Sequence, residues 1–371
     1  MERFAACFAE LEDPREDNAR HELNEILMIA LCAMLCGAED CSDMALFGRA
    51  KESFLRQFLQ LRHGIPSHDT FSRVFRLLDP AQFQLCFLRF MDDFATAAQE
   101  VIAIDGKTLR RSFDRANGKS PLHLVSAWAT GARLVLGQVA TDEKSNEITA
   151  VPKLLEMLSL KGAIVTADAL NCQRAIATQV VAQGADYVLA LKGNQGTLHA
   201  DVSLYLDDPA HASALAASDP EVEGDHGRIE TRQVFVCADI AWLQEHHKWP
   251  GLAAIGKVVR SREINGVTTR ETAYYLLSTP LSPARFAEVA RAHWGIENRL
   301  HWVLDVTMNE DQSRARMDHA PQNLALMRRW ALNACKLEGS KGSMKGKLKR
   351  AGWDDSFLAR LLTCGPQNQM R

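Results

Sequence analysis

Long apolar runs are the first thing this sequence lacks. No stretch reaches the roughly 18–20 consecutive apolar residues that a membrane-spanning helix needs. The longest candidate, Leu23 to Cys36, is broken by Asn24 and Glu25. The first residues, Met-Glu-Arg-Phe-Ala-Ala, lack the basic start, apolar stretch and cleavage site of a secretory signal. A cytosolic protein without a membrane partner is expected. Paired cysteine spacing is also missing. Nine cysteines, an odd count, are scattered from Cys7 to Cys364, which fits free thiols better than a disulfide framework. Cys32, Cys36 and Cys41 cluster, but a zinc site there would need a fourth ligand in register, and none is offered, so they read as core. Strong net charge is absent as well. A balance of −3 does not by itself announce a nucleic-acid binder. The charge is uneven, however. Lys336, Lys341, Lys345, Lys347, Lys349 and Arg350 stand against the single acid Glu338. Such a run fits either phosphate contacts or a solvated surface. No internal repeat or low-complexity segment is found. What remains is an ordinary globular composition, 47% hydrophobic and 24% charged, long enough at 371 residues for two or three modules.

Three regions separate by pattern. Residues 1–98 read as helical throughout. Leu23, Ile26, Leu27, Ala30, Leu31 and Met34 recur at three- and four-residue steps, which marks a helix with a buried face. Further helices are predicted over 42–62, 69–77 and 81–98, the second opened by Pro66-Ser67-His68-Asp69 and closed by Asp79-Pro80. The pattern then changes. Val101 to Ile104 is a short apolar run ended by Asp105-Gly106, and Leu122 to Thr130 and Arg133 to Thr141 complete an antiparallel meander. A helix over 146–159, a strand from Gly162 to Ala167, a helix over 171–183, a strand at 187–191 and a helix from about 195 follow. The class is α/β, with a mixed sheet. Residues 208–281 turn polar and β-rich, with strands over 229–237, 253–262 and 268–278 and an Asn265-Gly266 hairpin turn. Ser282-Pro283 caps a long helix running to about Leu304. Lys341 to Lys349, rich in Gly and Lys, reads as a loop.

Asp105 and Asp168 both stand where a buried strand runs out. A carboxylate there is costly unless a cation accompanies it. If the two strands are neighbours, both acids reach one rim of the sheet, and oxygen ligands of that kind suit Mg²⁺ or Mn²⁺. Either acid alone could equally be a turn former or a helix cap. On the helix after Pro283, Glu297 lies four residues from both His293 and His301, so the three share a face. Zinc would usually want closer convergence with further His or Cys ligands, which ranks it below a carboxylate–Mg²⁺ site.

Several blocks together resemble a known family. Asp105-Gly106-Lys107, Thr166-Ala167-Asp168-Ala169-Leu170-Asn171-Cys172-Gln173, Leu189-Ala190-Leu191-Lys192-Gly193-Asn194-Gln195 and His293-Trp294-Gly295-Ile296-Glu297-Asn298 are similar to blocks of DDE insertion-sequence transposases. The likeness is best to the H-repeat-associated group, and it extends over nearly the whole chain. Gly64-Ile65-Pro66-Ser67-His68-Asp69-Thr70-Phe71, Asp142-Glu143-Lys144-Ser145-Asn146-Glu147-Ile148 and Asn309-Glu310-Asp311-Gln312-Ser313-Arg314-Ala315-Arg316 resemble it too, the last without an assignable role.

The resemblance implies an RNase H-like mixed sheet flanked by helices. It divides the chain into a helical N-terminal domain (1–98) for DNA-end binding or dimerisation, a catalytic core in two parts (99–207 and 282–335), a β-rich insertion (208–281) and a basic tail (336–371). It implies that Asp105, Asp168 and Glu297 are the catalytic acids and hold two divalent ions, Mg²⁺ or Mn²⁺. The reaction would be cleavage and strand transfer of DNA by in-line attack of water or a DNA 3′-hydroxyl. The partners would be terminal inverted repeats and target DNA, with a homodimer on the paired ends. In the larger group a Tyr, Arg, Glu and Lys signature surrounds the last acid. Arg291 and Glu297 match parts of it, His293 or Trp294 stands near the place of the Tyr, and Arg299 or His301 near that of the Lys. Lys107, Lys192 and Asn194 fit phosphate contacts or a solvated loop. Trp294 and Trp302 fit stacking on an unpaired base or ordinary core. A metal-dependent nuclease without strand transfer and an inactive DNA-binding remnant are the alternatives.

Overall fold

The computed structural model describes residues 2–15, 19–92, 101–114, 118–141, 146–225 and 228–363. The expected boundary at 98, the block residues 142–145 and Cys364 lie outside them. The apolar runs of the middle region pair into one ten-stranded sheet. Its strands are β1 (Val101–Thr108), β2 (His123–Ala129), β3 (Leu134–Thr141), β4 (Ile164–Ala167), β5 (Asp186–Leu191), β6 (Ala216–Ala217), β7 (Glu221–Asp225), β8 (Arg228–Cys237), β9 (Ala254–Ile264) and β10 (Val267–Leu277). They lie in the order β3-β2-β1-β4-β5-β10-β9-β8-β6, with β7 paired to β8. The first three form the antiparallel meander, and β4 and β5 run parallel to β1. This is the mixed α/β sheet that the sequence pattern predicts.

The β-rich stretch is continuous with that sheet. Tyr274 to Leu277 of β10 pair antiparallel with Leu191 to Val188 of β5. Asn265 and Gly266 take φ of 52° and 77°, as a two-residue hairpin turn between β9 and β10 requires. Two short strands, β6 and β7, and a helix at Ala241–His247 also lie here. They carry no clear period in the sequence.

Strand alternation decides what faces what. Ile102, Ile104, Val165 and Ala167 point into a core shared with the helices Glu147–Glu156, Arg174–Ala182 and Gly196–Asp207. Val101 and Ile164 point the other way, onto Phe286, Val289 and Ala290 of the helix Pro283–His293. Asp105 and Asp168 share the parity of Val101 and Ile164. Both acids therefore belong to the face that this helix covers.

The helices of the N-terminal region do not form a separate core. Leu23–Leu35 is buried on nearly every side, as expected for a helix apolar all round. It packs with Ala320–Leu337 and Asp355–Thr363, and this single core also takes in Ile296, Leu300 and Leu304. Two sequence expectations differ in detail. The helix placed over 42–62 ends at Ala50, with one further turn at Glu52–Leu55. Lys341–Lys349 is not a loop: a helix runs from Met344 to Trp353, capped by Ser343, whose Oγ accepts from the Gly346 N–H at 3.1 Å. Burial of Leu348 and Ala351 outweighs the poor propensity of its glycines. Cys36 and Cys41 are core-packed, and burial pushes both thiols up to about 12.

Candidate active site

Parallel pairing of β1 and β4 ends at Ile104↔Ala167, so Asp105, inside β1, lies next to the point where β4 runs out into Asp168. The third acid arrives on the helix that begins at Pro283. Ser282 accepts from the Arg285 N–H at 3.3 Å, and Pro283 occupies the first turn, where it loses no hydrogen bond. The helix is not uniform to Leu304, however. It is α-helical to His293, widens into a π-turn over Glu297–His301, and resumes at Trp302–Val306. Such turns are uncommon and often mark functional positions. Gly295 lets this segment settle on the sheet, because a Cβ there would stand 2.9 Å from the buried Trp128 ring.

The π-turn delivers Glu297 and His301 to Asp105. Ligand atoms of these three residues lie within 4.8 Å of one another, the one such cluster among the described residues. His301 Nδ1 is 3.5 Å from Glu297 Oε2 and 3.6 Å from Asp105 Oδ2. The ring is buried, and its Nε2 has no hydrogen-bond partner. Burial raises the Asp105 carboxyl to about 8, helped by the Glu297 and Asp168 charges. Glu297, more exposed and hydrogen-bonded to His301, is held below its ordinary value. Acids crowded in this way suit a divalent cation. His293 completes the stripe differently: its Nδ1 meets Thr166 Oγ1 at 3.0 Å, linking the helix to β4. Burial lowers its pKa to about 4, so it is neutral near pH 7.

Behind the acids lies a polar chain that the sequence gives little hint of. His123 Nδ1 meets Thr108 Oγ1 at 2.9 Å, and His123 Nε2 meets Glu147 Oε1 at 2.7 Å. Asn171 Nδ2 donates to Glu147 Oε2 and to Asp168 Oδ1, each at 3.0 Å.

Lys107 has partners other than the DNA phosphates considered for it. It is buried, with Nζ 2.6 Å from Asp305 Oδ1, 3.2 Å from Asp311 Oδ1 and 3.3 Å from Glu310 Oε2. Burial alone would lower its pKa, but these acids raise it. Lys107 shares the parity of Asp105, and Asp305 follows the π-turn, so the pair ties the strand of one acid to the helix of another. The 309–316 block acquires a role in the same way. Glu310, fully buried, is 2.8 Å from Arg329 Nη1. Burial would raise its pKa, yet Arg329, Lys107 and Arg328 bring it down to about 2. His301 likewise faces the acids from a buried position and is not presented to a ligand at the surface. Asn194 is exposed, but its Nδ2 donates to Ala169 O at 2.6 Å and braces the loop after Asp168. Lys192 is exposed at the end of β5.

A cleft of about 1040 Å³ opens between β8–β10 and the Pro283 helix, lined on the helix side by Trp294, Gly295, Asn298 and Arg299. Arg228, Arg232, Arg260, Arg262, Arg270, Arg291 and Arg299 line it with Glu221, Glu230, Glu271 and Glu288, so seven cations face four acids there. Arg291 pairs with Glu221 and Glu223 of β7. The Arg260 guanidinium lies over the half-exposed Trp294 ring, 4.7 Å from its centroid.

Two family models match the chain. Residues 96–334 match the family model described as "Transposase DDE domain", and residues 5–91 match the one described as "DDE_Tnp_1-associated". The chain belongs to the DDE transposase family. It is 39% identical over 355 residues to "H repeat-associated putative transposase YhhI" of Escherichia coli K12, with 92% of each chain covered. It is 36% identical over 358 residues to "Putative transposase YncI" of Escherichia coli O157:H7, covering 94% of this chain and 91% of that one. A fainter structural likeness, TM-score 0.44 at 12% identity over 98% of this chain and 78% of the other, is to a chain of the piggyBac transposase synaptic complex with hairpin DNA. No helix among the described residues is long and apolar enough to cross a membrane.

Proposed function

We propose that this transposase cleaves DNA at the ends of an insertion sequence and joins the freed 3′-ends to a target, with Asp105, Asp168 and Glu297 as the acids that hold its divalent ions. The observation that carries the proposal is the meeting of Asp105, Glu297 and His301 within 4.8 Å, beside the strand end that bears Asp168. When bound, a pair of Mg²⁺ or Mn²⁺ ions activates the attacking oxygen and stabilises the leaving one in an in-line displacement at phosphorus. The residues of the chain then have distinct tasks. Asp105, Asp168 and Glu297 supply the negative charge. His301 orients two of them from below, and His293 fixes the helix against β4 through Thr166. The arginine cleft, Arg291 and Arg299 included, attracts the DNA backbone, and Trp294 offers a ring face to a base. Lys192 and Asn194, on the loop after β5, extend the contact surface. Terminal inverted repeats and target DNA are the substrates, and a homodimer would place two such sites on paired ends.

The test is an incubation of the protein with an end of its element, a target plasmid and Mg²⁺. Cleaved and joined products are expected. Asp105→Ala should abolish both while leaving DNA binding intact. Cleavage without joining would replace transposition by simple nuclease action. Cleavage retained by Asp105→Ala would overturn the metal assignment.

A further inference from the structure

Thr108, His123, Glu147, Asn171 and Asp168 form one continuous run of hydrogen bonds, and its three middle members are almost wholly buried. Replacing such a buried polar chain by apolar side chains of similar volume is often neutral or favourable for stability. Its geometry points to another use. Both oxygens of Glu147 are engaged, one by His123 and one by Asn171. The Asn171 amide nitrogen reaches Glu147 on one side and Asp168 on the other, and the Asn171 backbone N–H also donates to Asp168 Oδ1 at 3.2 Å. Turning that amide over would set its oxygen against two carboxylates, so Glu147 and Asp168 together dictate which way Asn171 points, and Glu147 anchors it on the side away from Asp168. Gly106 shows how closely the chain is fitted. A Cβ there would lie 2.3 Å from His123 Nε2 and 2.4 Å from Glu147 Oε1.

We propose that His123, Glu147 and Asn171 are positioning residues that lock the Asp168 carboxylate in one orientation for cation binding. This rests on the reading of Asp168 as a cation ligand. None of the three touches the substrate. Each acts through the next, and Asp168 is where the chain reaches the acid cluster. Partners that orient a metal ligand in this way typically change metal affinity by about 10–100-fold when removed.

The test uses the full-length protein and Mn²⁺ alone, with free ion followed by electron paramagnetic resonance and thermal melting recorded in parallel. Wild type should bind Mn²⁺, and Asp168→Asn should lose it. Asn171→Leu, similar in shape but without donors, should weaken binding about 10–100-fold, and Glu147→Ala should do the same. Glu147→Gln can still accept from Asn171 while donating to His123, so it should stay within about threefold of wild type, far from the loss typical of a missing partner. Should Asn171→Leu fail to fold, the contrast between Glu147→Ala and Glu147→Gln carries the test. Wild-type affinity in folded Asn171→Leu or Glu147→Ala, even with a lowered melting temperature, overturns the proposal. So does equal weakening by Glu147→Ala and Glu147→Gln, which would point to charge rather than orientation. Failure of the wild type itself to bind Mn²⁺ would overturn the metal reading, and the proposal with it.

Discussion

Lys107→Met separates two roles for the lysine of the Asp105-Gly106-Lys107 block. The substitution keeps most of the side chain's length and removes its charge. In the fold, Asp305 would lose its ion pair at 2.6 Å, while Glu310 keeps Arg329 at 2.8 Å and Asp311 keeps Arg110 at 3.5 Å. Removing one partner of a buried ion pair costs about 3–5 kcal/mol, and the surviving cations put this case near the lower end, about 3 kcal/mol. An unfolding entropy of about 2.1 cal/mol/K per residue gives roughly 0.8 kcal/mol/K for this chain, so the melting temperature should fall by about 4 °C. Scanning calorimetry measures that fall. Anisotropy titrations of DNA binding over a range of salt should be unchanged for the folded variant. A phosphate-contacting lysine would behave in the opposite way, with an unchanged melting temperature and a salt slope smaller by about 0.9. That result would refute the buried clamp.

Three further outcomes are expected. Gly106→Ala should destabilise by about 1–3 kcal/mol through overpacking against His123 and Glu147. Combined with His123→Ala, it should cost at least about 1 kcal/mol less than the sum of the single changes, and additive costs would contradict the close approach. Because Asp105 is pushed up to about 8, cation binding must displace a proton below that pH. Mn²⁺ affinity should tighten about tenfold per pH unit from roughly 6 to 8 and then level off, and a flat profile would refute the assignment. The metal-free fold runs the other way: a carboxyl whose pKa is raised contributes its full stability below the ordinary value of 3.8 and loses it as pH rises through about 8. Melting curves without and with Mn²⁺ check both signs.

The parts of the site that were legible in the sequence were those carried by local patterns. The apolar runs before Asp105 and Asp168 fix both strands, because alternation is a property of a few neighbouring residues. The end expected at Asp105 is not there, since pairing with β2 carries β1 on to Thr108, and only Asp168 follows a strand end. The His293, Glu297 and His301 stripe follows from helical spacing in the same way. The π-turn carries no period of its own, so the helix reads as uniform until its geometry is seen. Long-range polar contacts leave no local trace at all. Lys107 meets partners about 200 residues away, and His123, Glu147 and Asn171 are spaced 24 residues apart at each step. A lysine beside a strand end looks solvated by default, since its burial depends entirely on acids that spacing cannot bring near. The short strand β7 is rich in acid and carries no strand period of its own, so only its pairing with β8 brings it into view.

The shared helical core has a consequence for biosynthesis. The apolar helix Leu23–Leu35 emerges early, yet its packing partner Ala320–Leu337 follows it by about 300 residues. At roughly 5–20 residues per second, some 15–60 seconds pass between the two during synthesis. Throughout that interval a helix with no polar face has no finished core to enter. The nascent chain would be a natural client for chaperones, and its N-terminal helices would reach their final packing only after Glu297 had left the ribosome.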